Sequence, residues 1–134
     1  MKKVITVLMA TILFVTLSMS AYAAFPETAI PFWSNISTLE TLITFIDTDG
    51  TAKGTLTAKS GTTSITGTLT VYKQTTGGEW EYIGSDNDTV SGRYLSLLVD
   101  FYGESGVYYK AVFTVSVTRN GTVESETKTS FRTC

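Results

Sequence analysis

Apolar and polar positions alternate along most of the chain. In Gly106–Phe131, Val107, Tyr109, Ala111, Phe113, Val115 and Val117 alternate with Tyr108, Lys110, Val112, Thr114 and Ser116. A period of two sends successive side chains to opposite faces of a strand. Asn120-Gly121 interrupts the run, and a second alternating run starts at Thr122. Asn-Gly suits the two positive-φ positions of a type I′ turn, so the segment predicts a β-hairpin. Ser64–Gln74 carries the same signature, with Ile65, Leu69 and Val71 facing in and Thr66, Thr68, Thr70 and Tyr72 facing out. Thr75–Gly78 predicts a hairpin loop, and Glu79–Gly84 the short strand that answers it. Arg93–Phe101 predicts a strand with Leu95, Leu97 and Val99 on one face and Tyr94 and Leu98 on the other.

The first part of the pattern is more ambiguous. In Ser37–Asp47, Leu39, Leu42, Ile43 and Ile46 sit at helical spacing, but the β-branched Thr38, Thr41, Ile43, Thr44 and Ile46 favour a strand. Asp47–Gly50 predicts a turn, and Thr51–Lys59 a strand with Leu56 and Ala58 inward. Ser85–Gly92 predicts a polar loop, and Tyr102–Gly106 a glycine-flanked corner. The expectation is an all-β, immunoglobulin-like or fibronectin type III-like antiparallel β-sandwich of about seven strands, with turn signals roughly every ten residues. It occupies residues 37–134, after an irregular lead-in over 24–36 that holds Pro26, Pro31 and Trp33.

The start of the chain predicts a secretory signal peptide over residues 1–23. Lys2 and Lys3 precede the apolar run Val4–Leu17, and Ala21-Tyr22-Ala23 fits a small-residue cleavage site, with the cut between Ala23 and Ala24. The apolar run is shorter than the ~20 residues of a membrane span. The expected location is therefore outside the cell, with no membrane attachment after cleavage. The remaining 111 residues suffice for one domain with one core. Eight basic residues remain after Lys2 and Lys3 leave, against twelve acidic ones, a net charge of −4. A mildly acidic chain with no basic stripe argues against nucleic acid as a partner.

Composition narrows the chemistry further. Threonine supplies 22 of the mature residues, mostly alternating with apolar ones, so it reads as the wet side of strands. There is no histidine, which removes the commonest general base and the commonest metal ligand. Cys134 is the one cysteine; it has no internal partner and is a candidate for an intermolecular disulfide.

Several groups invite a chemical reading. Asp47 and Asp49, and Asp86 and Asp88 with Asp100, offer carboxylates to calcium, but the spacing fails the loop pattern that calcium's six to eight oxygens require, and Asp-Gly reads as a turn. The acid pairs Glu79/Glu81 and Glu124/Glu126 lie two residues apart on one strand face each, within glycosidase distance, but on a convex sheet they read as solvated surface. Asn35, Asn87 and Asn120 each open an Asn-x-Ser/Thr triplet and read as turn residues. Trp80, Tyr82, Tyr72 and Tyr108, with Tyr94, are the candidate ligand-binding residues: exposed rings on which flat sugar faces stack. The competing reading is cross-strand stabilisation of the sheet.

Leu69–Ile83 (LTVYKQTTGGEWEYI), followed by Gly106–Thr114 (GVYYKAVFT), resembles the layout of immunoglobulin-like and fibronectin type III-like sandwiches. More closely it resembles small secreted domains of unknown function from clostridia and related Gram-positive bacteria, with a Gly-Gly-x-Trp hairpin and a Tyr-Arg/Lys-Ala strand. The resemblance covers roughly 41–131. It implies a tyrosine-corner role for Tyr109 and places Ala111 where antibody domains have their second cysteine. It implies no activity. The expected function is a secreted, non-catalytic module for extracellular recognition or adhesion, with glycan or protein as partner and no cofactor or metal. The alternative is a structural subunit of the cell envelope or of an assembly.

Overall fold

The computed structural model describes residues 32–134. The expected signal peptide, its expected Ala23/Ala24 cut and most of the lead-in lie outside the described residues. Trp33–Cys134 is one compact unit. Its seven strands are β1 (Ile36–Ile46), β2 (Asp49–Ala58), β3 (Thr62–Gln74), β4 (Trp80–Val90), β5 (Tyr94–Tyr102), β6 (Tyr108–Arg119) and β7 (Thr122–Thr133). They form a three-stranded sheet, β1-β2-β5, and a four-stranded sheet, β4-β3-β6-β7. Every neighbouring pair is antiparallel. The expected β-sandwich is what folds.

The alternation explains the layering. Ile65, Leu69 and Val71 of β3 and Tyr109, Ala111, Phe113, Val115 and Val117 of β6 are buried, and meet Leu56 of β2 and Leu95 and Leu97 of β5. Phe113 is the filler at the centre. A side chain at Gly54 on β2 would stand 2.7 Å from its ring, and one at Gly67 on β3 would stand 2.4 Å from Leu95 and 3.2 Å from Phe113. Two glycines, one per sheet, thus make the space that a phenylalanine fills. At one end, Phe45, Phe101 and Tyr109 form a second aromatic group with ring centroids 5.2–5.5 Å apart. The Tyr109 hydroxyl accepts the Glu104 N–H at 2.7 Å, the tyrosine-corner bond that the resemblance implied. Trp33 packs against the core. Asn120 and Gly121 both have positive φ, 51° and 75°, as the type I′ turn requires.

Three expectations on local structure are corrected. Ser85–Gly92 is not a loop: β4 runs on to Val90. Its inward positions include Gly84, Asp86 and Asp88, so no apolar alternation marks it. Asp49-Gly50 lies in β2 rather than in the turn, which is confined to Asp47-Thr48, with Asp47 at φ 54°. The lead-in ends one residue early: β1 begins at Ile36, and Asn35 just before it is buried, donating its side-chain amide to the carbonyls of Val117 and Thr122.

Carboxylates close both open flanks of the sandwich. Glu124, inward on β7, accepts the N–H groups of Ser34, Asn35 and Ile36 at 3.0, 2.5 and 3.2 Å. Asp86, inward on β4, accepts the N–H of Leu98 on the edge strand β5 at 3.2 Å. Inward-pointing acids on edge strands also discourage pairing with another sheet.

Candidate functional site: an aromatic face on the four-stranded sheet

The outer face of the larger sheet carries the rings. Register aligns Tyr82, Tyr72, Lys110 and Phe131 across β4, β3, β6 and β7, and sets Trp80 opposite Gln74 in the next row. A bulge lets this happen. Ile83 is the extra residue of β4 between the pairs Val71–Gly84 and Tyr72–Tyr82, so it turns to the core while Tyr82 stays on the outer face.

The rings form one cluster. Tyr108 and Phe131 stack, with centroids 5.6 Å apart and planes 13° apart. Trp80 leans on both, at 5.9 and 6.1 Å. Tyr72 meets Tyr82 edge to face at 6.3 Å. The Lys110 ammonium joins the two halves, 4.4 Å from the Trp80 centroid and 5.0 Å from that of Tyr72. Such contacts hold a cation by the negative face of the ring. The cluster remains open: Tyr82 is 60% exposed, Phe131 49% and Tyr108 39%.

Beyond the rings the same face turns to hydroxyls. Its next rows read Ser85–Thr70–Val112–Thr129, Asn87–Thr68–Thr114–Thr127 and Thr89–Thr66–Ser116–Ser125. Cross-strand hydroxyl pairs join Thr66 to Thr89, Thr114 to Thr127 and Ser116 to Ser125, at 3.1, 3.2 and 2.7 Å. The acids of these strands, Glu81, Asp86, Asp88, Glu124 and Glu126, all take inward positions. Lys110 is the charged side chain at an outward register position of this sheet.

Trp80, Tyr82, Tyr72 and Tyr108 thus come together as the sequence suggested. Tyr94 does not join them: it lies on β5, in the other sheet. Phe131 and Lys110 were missed. The signal was present in the hairpin register, because a two-residue turn at Asn120-Gly121 sets Lys110 opposite Phe131.

The other candidates are dispersed. Glu81 pairs with Lys73 at 3.6 Å, and Lys73 also bonds Glu104 at 2.9 Å. The hydrogen bond to Glu104, then the charges of Glu104 and Glu81, hold the Lys73 ammonium above its ordinary value of 10.5. This raised value means that the contribution is complete at neutral pH and is lost only as pH rises through the raised value. Glu124 is engaged with backbone N–H groups, as described. Asp100 accepts the Thr51 hydroxyl at 2.8 Å on the outer face of the smaller sheet, while Asp86 faces inward. Among the described residues, no three His, Cys, Asp or Glu side chains gather as metal ligands. Cys134 is half-buried beside Gly103, with its thiol 3.7 Å from the Asp47 carbonyl.

The smaller sheet also exposes apolar residues on its outer face. Leu42, Lys53 and Leu98 form one row, and Ile46, Asp49 and Tyr102 another. Tyr102 and Ile46 are 84% and 78% exposed. Comparison with known proteins finds no matching protein family and no matching curated protein.

Proposed function

We infer that the chain is a secreted, non-catalytic recognition module, and that the aromatic face of its four-stranded sheet is the contact surface for an extracellular ligand. The observation that carries this reading is the placement of the rings. Trp80, Tyr108, Phe131, Tyr72 and Tyr82 lie outside a core already filled by Phe113 and Tyr109, and they remain partly exposed. Tryptophan and tyrosine dominate binding hot spots because they offer large rigid area with a polar tip. An open sheet face suits an extended partner rather than a small substrate, which binds in a concave pocket. The signal sequence, read from Lys2–Ala23, supplies the extracellular setting.

The mature chain is expected to bind a subset of an immobilised panel of glycans and envelope proteins, with Trp80→Ala weakening the interaction by about 30-fold or more. The same variant should retain the β-rich circular dichroism of the parent, because Trp80 is not a core residue. Equal binding by parent and variant would overturn the assignment of the site.

The outer face of the smaller sheet favours a second reading, as a subunit of an assembly. Leu42, Ile46, Leu98 and Tyr102 give it apolar area that packing against another subunit would cover. A chain that sediments as a stable oligomer, and that becomes monomeric on Leu98→Asp, would support this reading.

A further inference from the structure

Charge narrows the ligand further than the rings do. The mature chain is acidic, yet the outward positions of the four-stranded sheet carry no acid, and Lys110 sits at their aromatic end. The Lys110 ammonium rests against Trp80 and Tyr72 and has no carboxylate within ion-pair distance among the described residues. Ring faces attract a cation but do not neutralise it. A half-buried cation with no carboxylate partner, on a face cleared of acids, is complementary to an anion.

We propose that this face binds a uronate-bearing polysaccharide. The inference rests on the recognition reading above. Pyranose rings pack against the exposed flank of the Trp80–Tyr108–Phe131 cluster, whose rings already lean on one another, and a ring carboxylate accepts from Lys110 Nζ. The hydroxyl rows then carry the chain onward. Each hydroxyl has one donor and two acceptor sites, so a Thr–Thr pair uses one of its two hydrogens and leaves the other for a sugar hydroxyl. From Lys110 to Ser116, six residue steps of ~3.3 Å make about 20 Å of face, room for about four pyranose rings end to end. Single-stranded nucleic acid also combines rings with anions. Its phosphates, however, require a groove of cations, and this face has Lys110 alone.

The test is calorimetric titration of the mature chain with polygalacturonate, alginate and hyaluronan. Size-defined oligomers of any binder follow, each with its fully methyl-esterified, uncharged counterpart. At least one polyuronate should bind, its acid form about tenfold tighter than its ester, a margin that shrinks as salt is added. Affinity should rise with length up to about four rings and then level. Lys110→Met should abolish the acid preference while leaving ester binding in place, and Lys110→Arg should keep it. Equal binding of acid and ester, or binding of none of the three polymers, overturns the uronate assignment. In either case the recognition reading stands if Trp80→Ala still loses a ligand from the wider panel, and falls if it does not. Displacement of the uronate by single-stranded oligonucleotide at equal concentration would also overturn the proposal.

Discussion

Replacing Phe113 with alanine should lower the free energy of unfolding by about 4 kcal/mol, the middle of the range for loss of a buried ring. Phe113 is fully buried and lies against Gly54 of one sheet and Gly67 of the other. Its ring fills space that exists because Gly54 and Gly67 have no side chains. Neither backbone can move in without breaking its ladder, so the cavity left by alanine cannot collapse, and the cavity cost adds to the lost transfer energy. The converse change is also damaging. A methyl group at Gly54 would stand 2.7–2.9 Å from three ring carbons of Phe113, so Gly54→Ala should destabilise by overpacking. The two effects are coupled. In a Phe113→Leu background the methyl at position 54 finds room, and Gly54→Ala should cost clearly less than it does alone. Urea titrations of the four proteins in this cycle measure the coupling. Additive costs would show that Gly54 and Phe113 do not share one space.

Glu124→Ala should cost about 3 kcal/mol, a large effect for a partly exposed acid. The carboxylate accepts three consecutive backbone N–H groups, those of Ser34, Asn35 and Ile36. Hydrogen bonds to a charged group contribute about 1.5–3 kcal/mol each, and the figure is discounted here because the Ser34 bond is exposed to water. Alanine leaves the donors of the buried residues Asn35 and Ile36 without an acceptor, at the point where the chain enters β1. Glutamine keeps an acceptor oxygen but loses the charge, so Glu124→Gln should fall between. The signature is local as well as global. Amide exchange of Asn35 and Ile36 should accelerate in Glu124→Ala well before that of Phe113 or Val115 in the middle of β6. Uniform acceleration across β6 and β1 would contradict the anchoring role.

Most of the fold was legible because one face of most strands is apolar. In β3, β5 and β6 the alternation marks both the strand and its inward side: Leu69 and Val71, Leu95 and Leu97, Phe113 and Val115 all take the predicted face. Legibility failed where the inward positions of an edge strand are not apolar. β4 is an edge strand whose inward positions include Asp86, with its carboxylate spent on the backbone of β5, so the period-two signal vanished and Ser85–Val90 read as a loop. Asn35 was missed for a related reason. Its burial is stabilised by two carbonyls of the β6–β7 hairpin, Val117 and Thr122, which are more than 80 residues away along the chain.

The candidate site was legible in part. Trp80, Tyr82, Tyr72 and Tyr108 are placed by local hairpins whose register follows from turn chemistry. Grouping Tyr94 with them required knowing which strands share a sheet, and β5 pairs with β2 rather than with β4 or β6. The cleared charge of the face is a property of four strands at once. β3 and β6 carry no acid, and β4 and β7 carry theirs at inward positions, but neither edge strand alone reveals that its acids fall on the same side as the other's.

Chemical-shift mapping of the isotope-labelled chain, titrated with a binder from the glycan and protein panel, locates ligand contact on the molecule. If the ligand lies on the outer face of the four-stranded sheet, perturbed residues cluster at Tyr72, Trp80, Tyr82, Tyr108, Lys110 and Phe131 and extend along the threonine rows. Perturbations confined to Leu42, Lys53 and Leu98 on the opposite sheet would contradict that placement.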